Sequence, residues 1–86
     1  MDIKIDITYK NDRLKKAREA RGLSQHQLAD KTGISFRVLQ NYEQGVRDLN
    51  GAKLLTLLKL CNALECKLAD IITDEETLEQ LKDYGN

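Results

Sequence analysis

The chain has 86 residues, a formal net charge of zero and 41% hydrophobic residues. This length argues against a second domain, and the hydrophobic content supplies one small core and argues against intrinsic disorder. The absence of proline and the presence of only five glycines argue against a β-sandwich, which needs many turns. Two cysteines cannot build a disulfide framework, and the sequence shows neither a leader peptide nor a long apolar run. We therefore expect a soluble, cytoplasmic protein.

Charge is unevenly distributed along the chain. Residues 10–47 hold nine basic and four acidic residues, a net charge of +5, whereas residues 65–86 hold two basic and seven acidic residues, a net charge of −5. Such a split would let one face attract a polyanion while the other end repels it, thereby fixing the orientation of a complex. Two solvated faces of different charge would give the same pattern, so the charges leave both interpretations open.

The first nine residues alternate between apolar and polar side chains. Ile3, Ile5 and Ile7 share one side of this segment, and polar residues occupy the other. A period of two with β-branched residues is typical of a half-buried β-strand, which we predict for residues 1–9. A single strand in a helical chain pairs with another segment of its own domain, pairs across a dimer, or remains a tail.

Helical periodicity replaces this alternation in the next segment. Asn11 can cap a first helix that closes at Gly22. Ser24 followed by Gln27 fits a capping box at the start of a short second helix. Gly33 then stops that helix in the left-handed conformation that glycine tolerates.

The second and third predicted helices are joined by only three residues, which is the skeleton of a helix-turn-helix. Ser35 is predicted to cap the third helix, which runs to Gln44 and ends at Gly45. A fourth helix is predicted to begin at Asn50 or Gly51. Its apolar residues are Leu54, Leu55, Leu57, Leu58, Cys61 and Leu64.

The chain ends in two further predicted helices. A short fifth helix spans residues 68–72, and Thr73 with Glu76 matches a second capping box, which opens one or two amphipathic turns. The predicted fold is therefore all-α, a five-helix bundle with a short N-terminal β-strand and a C-terminal helical turn. Its organisation is a strand or tail at 1–9, one helical domain at 10–73 and a short C-terminal helix at 74–86.

The third predicted helix has two opposite faces. At about 100° per residue, Val38, Leu39 and Tyr42 cluster on one face, which would anchor the helix. The opposite face gathers amide side chains and one arginine, the chemistry that reads base edges, because arginine pairs with guanine and asparagine or glutamine with adenine. An ordinary amphipathic helix with a polar solvent face has the same pattern, so both interpretations stay open. The outward residues are Arg37, Gln40, Asn41 and Gln44, with Phe36 at the edge.

Three stretches of the chain carry a specific pattern, Ser-Gln-x-x-Leu-Ala followed by Gly-Ile-Ser and Glu-x-Gly. They read RLKKAREARGLSQHQLADKTGIS, VLQNYEQG and TLLKLCNALECKLADII. On these stretches the segment from Leu14 to Ile72 resembles the helix-turn-helix domain of the phage repressor/Cro (XRE-type) transcriptional regulators. The resemblance implies sequence-specific binding of double-stranded DNA by a transcriptional regulator, most simply a repressor, with helix 35–44 in the major groove.

The resemblance also implies a role for individual residues. Gln25 would contact the DNA backbone and brace the recognition helix, and Arg18 with Glu43 would form a structural ion pair between the first and third helices. Contacts to bases would come from Phe36, Arg37, Gln40 and Asn41. Contacts to the DNA backbone would come from Gln25, Gln44 and Arg47.

The sequence departs from the family pattern at three positions. Phe36 replaces a more usual polar residue, and it would either contact a thymine methyl group or pack on a partner or an extra segment. Asn50 stands where proline is usual, and Lys67 where a serine or threonine would cap the fifth helix. The departures at Asn50 and Lys67 bear on the helix boundaries beside them.

No residue set in the sequence predicts a catalytic, metal or cofactor site. His26 is the only histidine, and we expect it to lie exposed on the second helix near bound DNA. Cys61 and Cys66 are five residues apart, which is not a zinc-binding spacing, and we expect them to pack as small apolar residues. The protein is therefore predicted not to be an enzyme.

The predicted partners are a DNA operator and a second copy of the chain. One recognition helix reads only a few base pairs, so a homodimer on a near-palindromic site is expected, with the Ile3, Ile5 and Ile7 face as one possible interface. The alternative is a protein-interaction module, antitoxin-like or adaptor, that retains the fold. Three features favour that alternative: the neutral total charge, the apolar side chain of Phe36 and the predicted strand at the N-terminus.

Overall fold

The computed structural model describes residues 9–85, so the strand predicted at 1–9 lies outside the described residues apart from Tyr9. Within this range all regular secondary structure is helical, which confirms the predicted all-α class. A short 3-10 turn, Leu49–Gly51, precedes the fourth of six helices. The helices are α1 (Arg13–Ala20), α2 (Gln25–Thr32), α3 (Phe36–Gln44), α4 (Leu54–Leu64), α5 (Leu68–Ile71) and α6 (Glu75–Tyr84).

Leucine and isoleucine side chains fill a single core. They come from the 3-10 turn and from every helix except α6. Helix α1 packs against α5 and α3, α2 packs against α3 and α4, and α4 packs against α5. Each buried side chain of this size contributes about 1.5–3 kcal/mol to folding, so the scaffold fixes the position of the α2–α3 pair. The most completely buried are Leu14, Leu28, Leu39, Leu49, Leu60, Leu64, Ile71 and Ile72.

Local hydrogen bonds define both ends of α2. Ser24 Oγ accepts from the Gln27 N–H at 3.0 Å, and Gln27 Oε1 accepts from the Ser24 N–H at 2.8 Å, which confirms the predicted capping box. Gly33 adopts a φ of 75°, a left-handed conformation that costs glycine no steric strain. Thr32 Oγ1 donates to the Leu28 carbonyl and accepts from the Ile34 N–H. The α2–α3 turn is therefore fixed by its own side chains.

Asn11 bonds to the first residue of α1, as a cap would, and also reaches across to α5. Asp12 is the N-cap residue of α1 and makes no capping bond with its side chain. Buried Asn11 instead accepts from the Arg13 N–H and donates to the Ile71 carbonyl, both at 2.9 Å. This side chain therefore joins the start of α1 to the end of α5.

Two predicted helix starts are wrong. Helix α4 begins at Leu54 rather than at Asn50 or Gly51, because the Asp48 carboxylate accepts from the Asn50 N–H at 3.0 Å and holds a separate 3-10 turn. Helix α6 is capped by Asp74, which accepts from the Thr77 N–H at 3.0 Å. The hydroxyl of Thr73, the predicted cap, accepts from Asn50 instead. Helix α6 is also longer than one or two turns, since it has ten residues.

Asn50, which stands in place of a more usual proline, ties the 3-10 turn to the start of α6. Its Oδ1 accepts from the Thr73 N–H at 2.8 Å and the Asp74 N–H at 3.1 Å, and its Nδ2 donates to Thr73 Oγ1 at 3.0 Å. The departure from the family pattern thus provides three hydrogen bonds between residues 23 or 24 positions apart in the sequence.

Substitution of Asn50 by alanine is expected to lower the free energy of unfolding by about 1–3 kcal/mol, because two backbone N–H groups lose their acceptor. Urea denaturation, monitored by circular dichroism, measures this change in the free energy of unfolding. Gln80→Ala, at an exposed position of α6, is the control and should change the stability by less than about 0.5 kcal/mol. Equal stability of the Asn50→Ala variant and the unsubstituted chain would contradict the tether.

Candidate nucleic-acid interface

Helix α3 divides into a buried face and an outward face. Leu39 is 0% exposed and Tyr42 is 6% exposed, and both belong to the core. Arg37 and Gln44 are exposed, whereas Phe36, Gln40 and Asn41 are half-buried. At 100° per residue these five side chains span an arc of about 140° on the outward side. The arc offers amide, guanidinium and aromatic groups on one continuous surface.

A buried ion pair fixes α3 against α1. Arg18 Nε donates to Glu43 Oε2 at 2.8 Å, and Arg18 Nη2 donates to Glu43 Oε1 at 3.0 Å. The two side chains are only 11% and 3% exposed. The hydrogen bond to Glu43 raises the pKa of Arg18, against the opposing effect of burial. Arg18 also donates to the Leu23 carbonyl at 2.8 Å, so one side chain joins α1, α3 and the α1–α2 loop.

Gln25, the first residue of α2, reaches the same carboxylate. Its Nε2 donates to Glu43 Oε1 at 3.0 Å. Glu43 therefore accepts from Arg18 on α1 and from Gln25 on α2 while it is itself part of α3. No buried side-chain nitrogen or oxygen among the described residues lacks a hydrogen-bond partner, as a rigid polar cluster requires.

Phe36 stacks on His26, a contact that the sequence did not predict. The ring centroids lie 3.8 Å apart and the ring planes are parallel within 1°. The expected contacts of Phe36 were a thymine methyl group, a partner or an extra segment, whereas this neighbour belongs to α2. The sequence did contain a signal for this contact. Each aromatic ring lies in the first turn of its helix, and only three residues connect the two helices.

Residues 14–71 match the helix-turn-helix family model HTH_3. The chain belongs to the repressor/Cro-like helix-turn-helix family. The family resemblance seen in the sequence is thus confirmed. Members of this family are DNA-binding transcriptional regulators, and α2 and α3 are the helix-turn-helix of this chain.

Solved structures of two other proteins are similar to this helix-turn-helix chain. The restriction-modification controller protein C.AhdI from Aeromonas hydrophila is 31% identical, with a TM-score of 0.65 over 78% of this chain and 97% of that one. An HTH_3 family transcriptional regulator from Vibrio cholerae is 28% identical, with a TM-score of 0.64 over 84% of this chain. The match spans 40% of the Vibrio cholerae protein. A search of the curated proteins found no match.

Most basic side chains between residues 10 and 47 are exposed. Eight of the nine basic residues between 10 and 47 are exposed, and Arg18 is the buried one. Arg47 follows Gly45, which ends α3 with a φ of 80°, and its backbone N–H donates to the Asn41 carbonyl at 3.2 Å. Arg47 and Lys53 line one cavity of about 430 Å³ beside α3. Cationic groups therefore lie beside α3 and just after its C-terminal end.

The cysteines lie away from this surface. Cys61 is buried and Cys66 is half-buried, and burial raises the pKa of Cys61 to about 12 and also raises that of Cys66. Both thiols are therefore protonated at neutral pH and act as packing groups. Across residues 9–85, no three His, Cys, Asp or Glu side chains are grouped as a metal site would need. No helix in the same range has the length and apolar character needed to cross a bilayer.

Helix α4 exposes some of the leucines that the sequence analysis named as its apolar residues. Leu54 and Leu55 are 63% exposed and Leu58 is 40% exposed, whereas Leu57 and Leu64 are buried. The reason is that α4 carries leucines around most of its circumference, and the remaining helices cover only one side. The three exposed leucines span an arc of about 100°, which we call the α4 leucine face.

Proposed function

We propose that the chain binds double-stranded DNA in a sequence-specific manner and regulates transcription, most simply as a repressor, with α3 in the major groove. The observation that supports this best is the outward arc of α3, held by the Arg18–Glu43–Gln25 hydrogen bonds. A rigid helix that presents arginine and amides can match the donor and acceptor pattern of base edges. Because its partner is DNA, a repressor/Cro-like regulator acts in the cytoplasm.

We assign the individual contacts according to position on this arc. Gln25 Nε2 carries two N–H groups, and one is donated to Glu43, so the other is available for a phosphate oxygen. Contacts to bases are assigned to Phe36, Arg37, Gln40 and Asn41. Contacts to the DNA backbone are assigned to Gln25, Gln44 and Arg47.

The test is selection of bound sequences from a random DNA pool, followed by anisotropy titrations of the enriched duplex and a scrambled duplex at several salt concentrations. Sequence-specific binding predicts tighter binding to the enriched duplex and a steep loss of affinity with salt, because cations on phosphates release counterions. A pool without enrichment and affinity below detection at low salt would instead favour the protein-interaction alternative.

A homodimer is the expected binding form, because two recognition helices about 34 Å apart are needed to read two half-sites. Two apolar surfaces offer an interface: the strand predicted at 1–9, which lies outside the described residues, and the α4 leucine face. We expect Leu55→Ser with Leu58→Ser to lower the mass measured by light scattering from dimer to monomer, since this face loses its apolar area. Deletion of residues 1–8 tests the strand in the same assay.

Glu79→Ser, at an exposed position of α6, controls for a general effect of surface substitution. An unchanged dimer after both the leucine substitutions and the deletion would contradict both interfaces.

A further inference from the structure

We infer that His26 is a positioning residue for DNA recognition, which fixes the ring of Phe36 so that its edge meets the 5-methyl group of one thymine. The inference rests on the proposed function and deepens it. Its basis is the parallel stack of the two rings, 3.8 Å between centroids, at the point where α2 and α3 approach the same outward surface.

The ring of Phe36 is held from two sides. One of its faces is covered by the His26 imidazole, and the side chain also packs against the hydrophobic core. His26 is itself exposed and Phe36 is half-buried, so the edge of the phenyl ring is the part that remains for a ligand. A ring that is fixed before binding loses little conformational freedom when the complex forms.

The chemistry of the phenyl edge limits what it can recognise in a major groove. Phe36 shares the outward arc with Arg37, which donates hydrogen bonds, and Gln40, which donates and accepts them, whereas a phenyl ring offers neither a conventional donor nor a conventional acceptor. The apolar group that base pairs present in the major groove is the thymine 5-methyl, and apolar side chains contact it. Phe36 therefore adds selectivity for thymine to an arc that otherwise reads polar edges.

The residues on either side of His26 make other contacts, so neither of them holds the Phe36 ring. Gln25, adjacent to His26, points to Glu43 and braces α3 through that carboxylate. Gln27, on the other side, is used in the capping box with Ser24. In the first turn of α2, it is the His26 imidazole that contacts the ring of Phe36 at the start of α3.

The test uses the duplex enriched from the random pool, in which each thymine of one half-site is replaced in turn by deoxyuridine, a change that removes only the methyl group. The unsubstituted chain should lose affinity about fourfold at one thymine, as expected when one methyl-sized group is no longer buried. Phe36→Ala should abolish this discrimination. His26→Gln, which keeps a polar side chain of similar length without a flat ring, should reduce it to less than about twofold.

His26→Phe should restore the fourfold discrimination, because a flat ring again covers Phe36. Affinity for scrambled DNA serves as the control, and His26→Gln should leave it unchanged, whereas a substitution that only damaged the fold would weaken binding to every duplex. Full discrimination in His26→Gln, or no methyl-sensitive thymine in the unsubstituted complex, would overturn this inference while leaving DNA binding intact. Failure to bind any duplex would overturn the proposed function itself and the inference with it.

Discussion

Replacement of Glu43 by alanine is expected to lower the free energy of unfolding by about 3–5 kcal/mol, the range found when one partner of a buried ion pair is removed. The Arg18 side chain is 11% exposed in the intact pair, and the variant would leave it with only the Leu23 carbonyl as acceptor. Gln25 would lose its acceptor as well. Urea denaturation or the shift in melting temperature measures the loss.

The chain contains a matched control for this substitution. Lys16 and Asp12 form an ion pair at 2.9 Å, but their side chains are 73% and 63% exposed. Because exposed pairs contribute little, Lys16→Ala should change the stability by less than about 1 kcal/mol. If Glu43→Ala and Lys16→Ala had equal effects, the burial of the Arg18–Glu43 pair would have no energetic importance.

Arg37→Ala is expected to weaken binding to the preferred duplex by about 1–3 kcal/mol and to relax the choice at one base pair, because the guanidinium can bond to both guanine O6 and N7. Arg47→Ala should weaken binding to all sequences alike and lower the salt slope by about one, as expected of a phosphate contact. Both side chains are exposed, so neither substitution should unfold the domain. Anisotropy titrations on preferred and scrambled duplexes at several salt concentrations separate the two effects.

The two arginine variants also control for each other, since each removes one positive charge. Equal loss on preferred and scrambled DNA in Arg37→Ala would make Arg37 a backbone contact and assign the discrimination to Gln40 and Asn41. Unaltered DNA binding in both variants would favour the protein-interaction alternative.

Features of the fold that depend on neighbouring residues could be predicted from the sequence. The capping box at Ser24, the left-handed glycines at Gly33 and Gly45 and the two faces of α3 each follow from a few adjacent residues. The start of α4 and the cap of α6 could not be predicted in this way. Asn50 donates to Thr73 Oγ1 and accepts from the Thr73 N–H across 23 residues of sequence, which takes Thr73 away from its predicted role as a cap, and a local pattern carries no information about such a contact.

The candidate site shows the same division. The outward arc of α3 follows from helical spacing, whereas the stack of Phe36 on His26 depends on how two helices meet after a turn. Exposure of Leu54 and Leu55 was also not predictable, because a helix with leucines on most sides does not reveal which side its neighbours cover. Local periodicity thus identifies the surface, and tertiary packing decides how individual side chains are oriented on it.

The convergence of three helices on the Glu43 carboxylate has a consequence for genetics. Alleles selected for loss of regulation should include changes at Arg18 and Glu43, although both side chains are buried away from the outward arc of α3. Because these changes act through folding, their phenotypes should be suppressed at low growth temperature and by elevated expression. Alleles at Arg37 would act on recognition itself, so cooling should not rescue them.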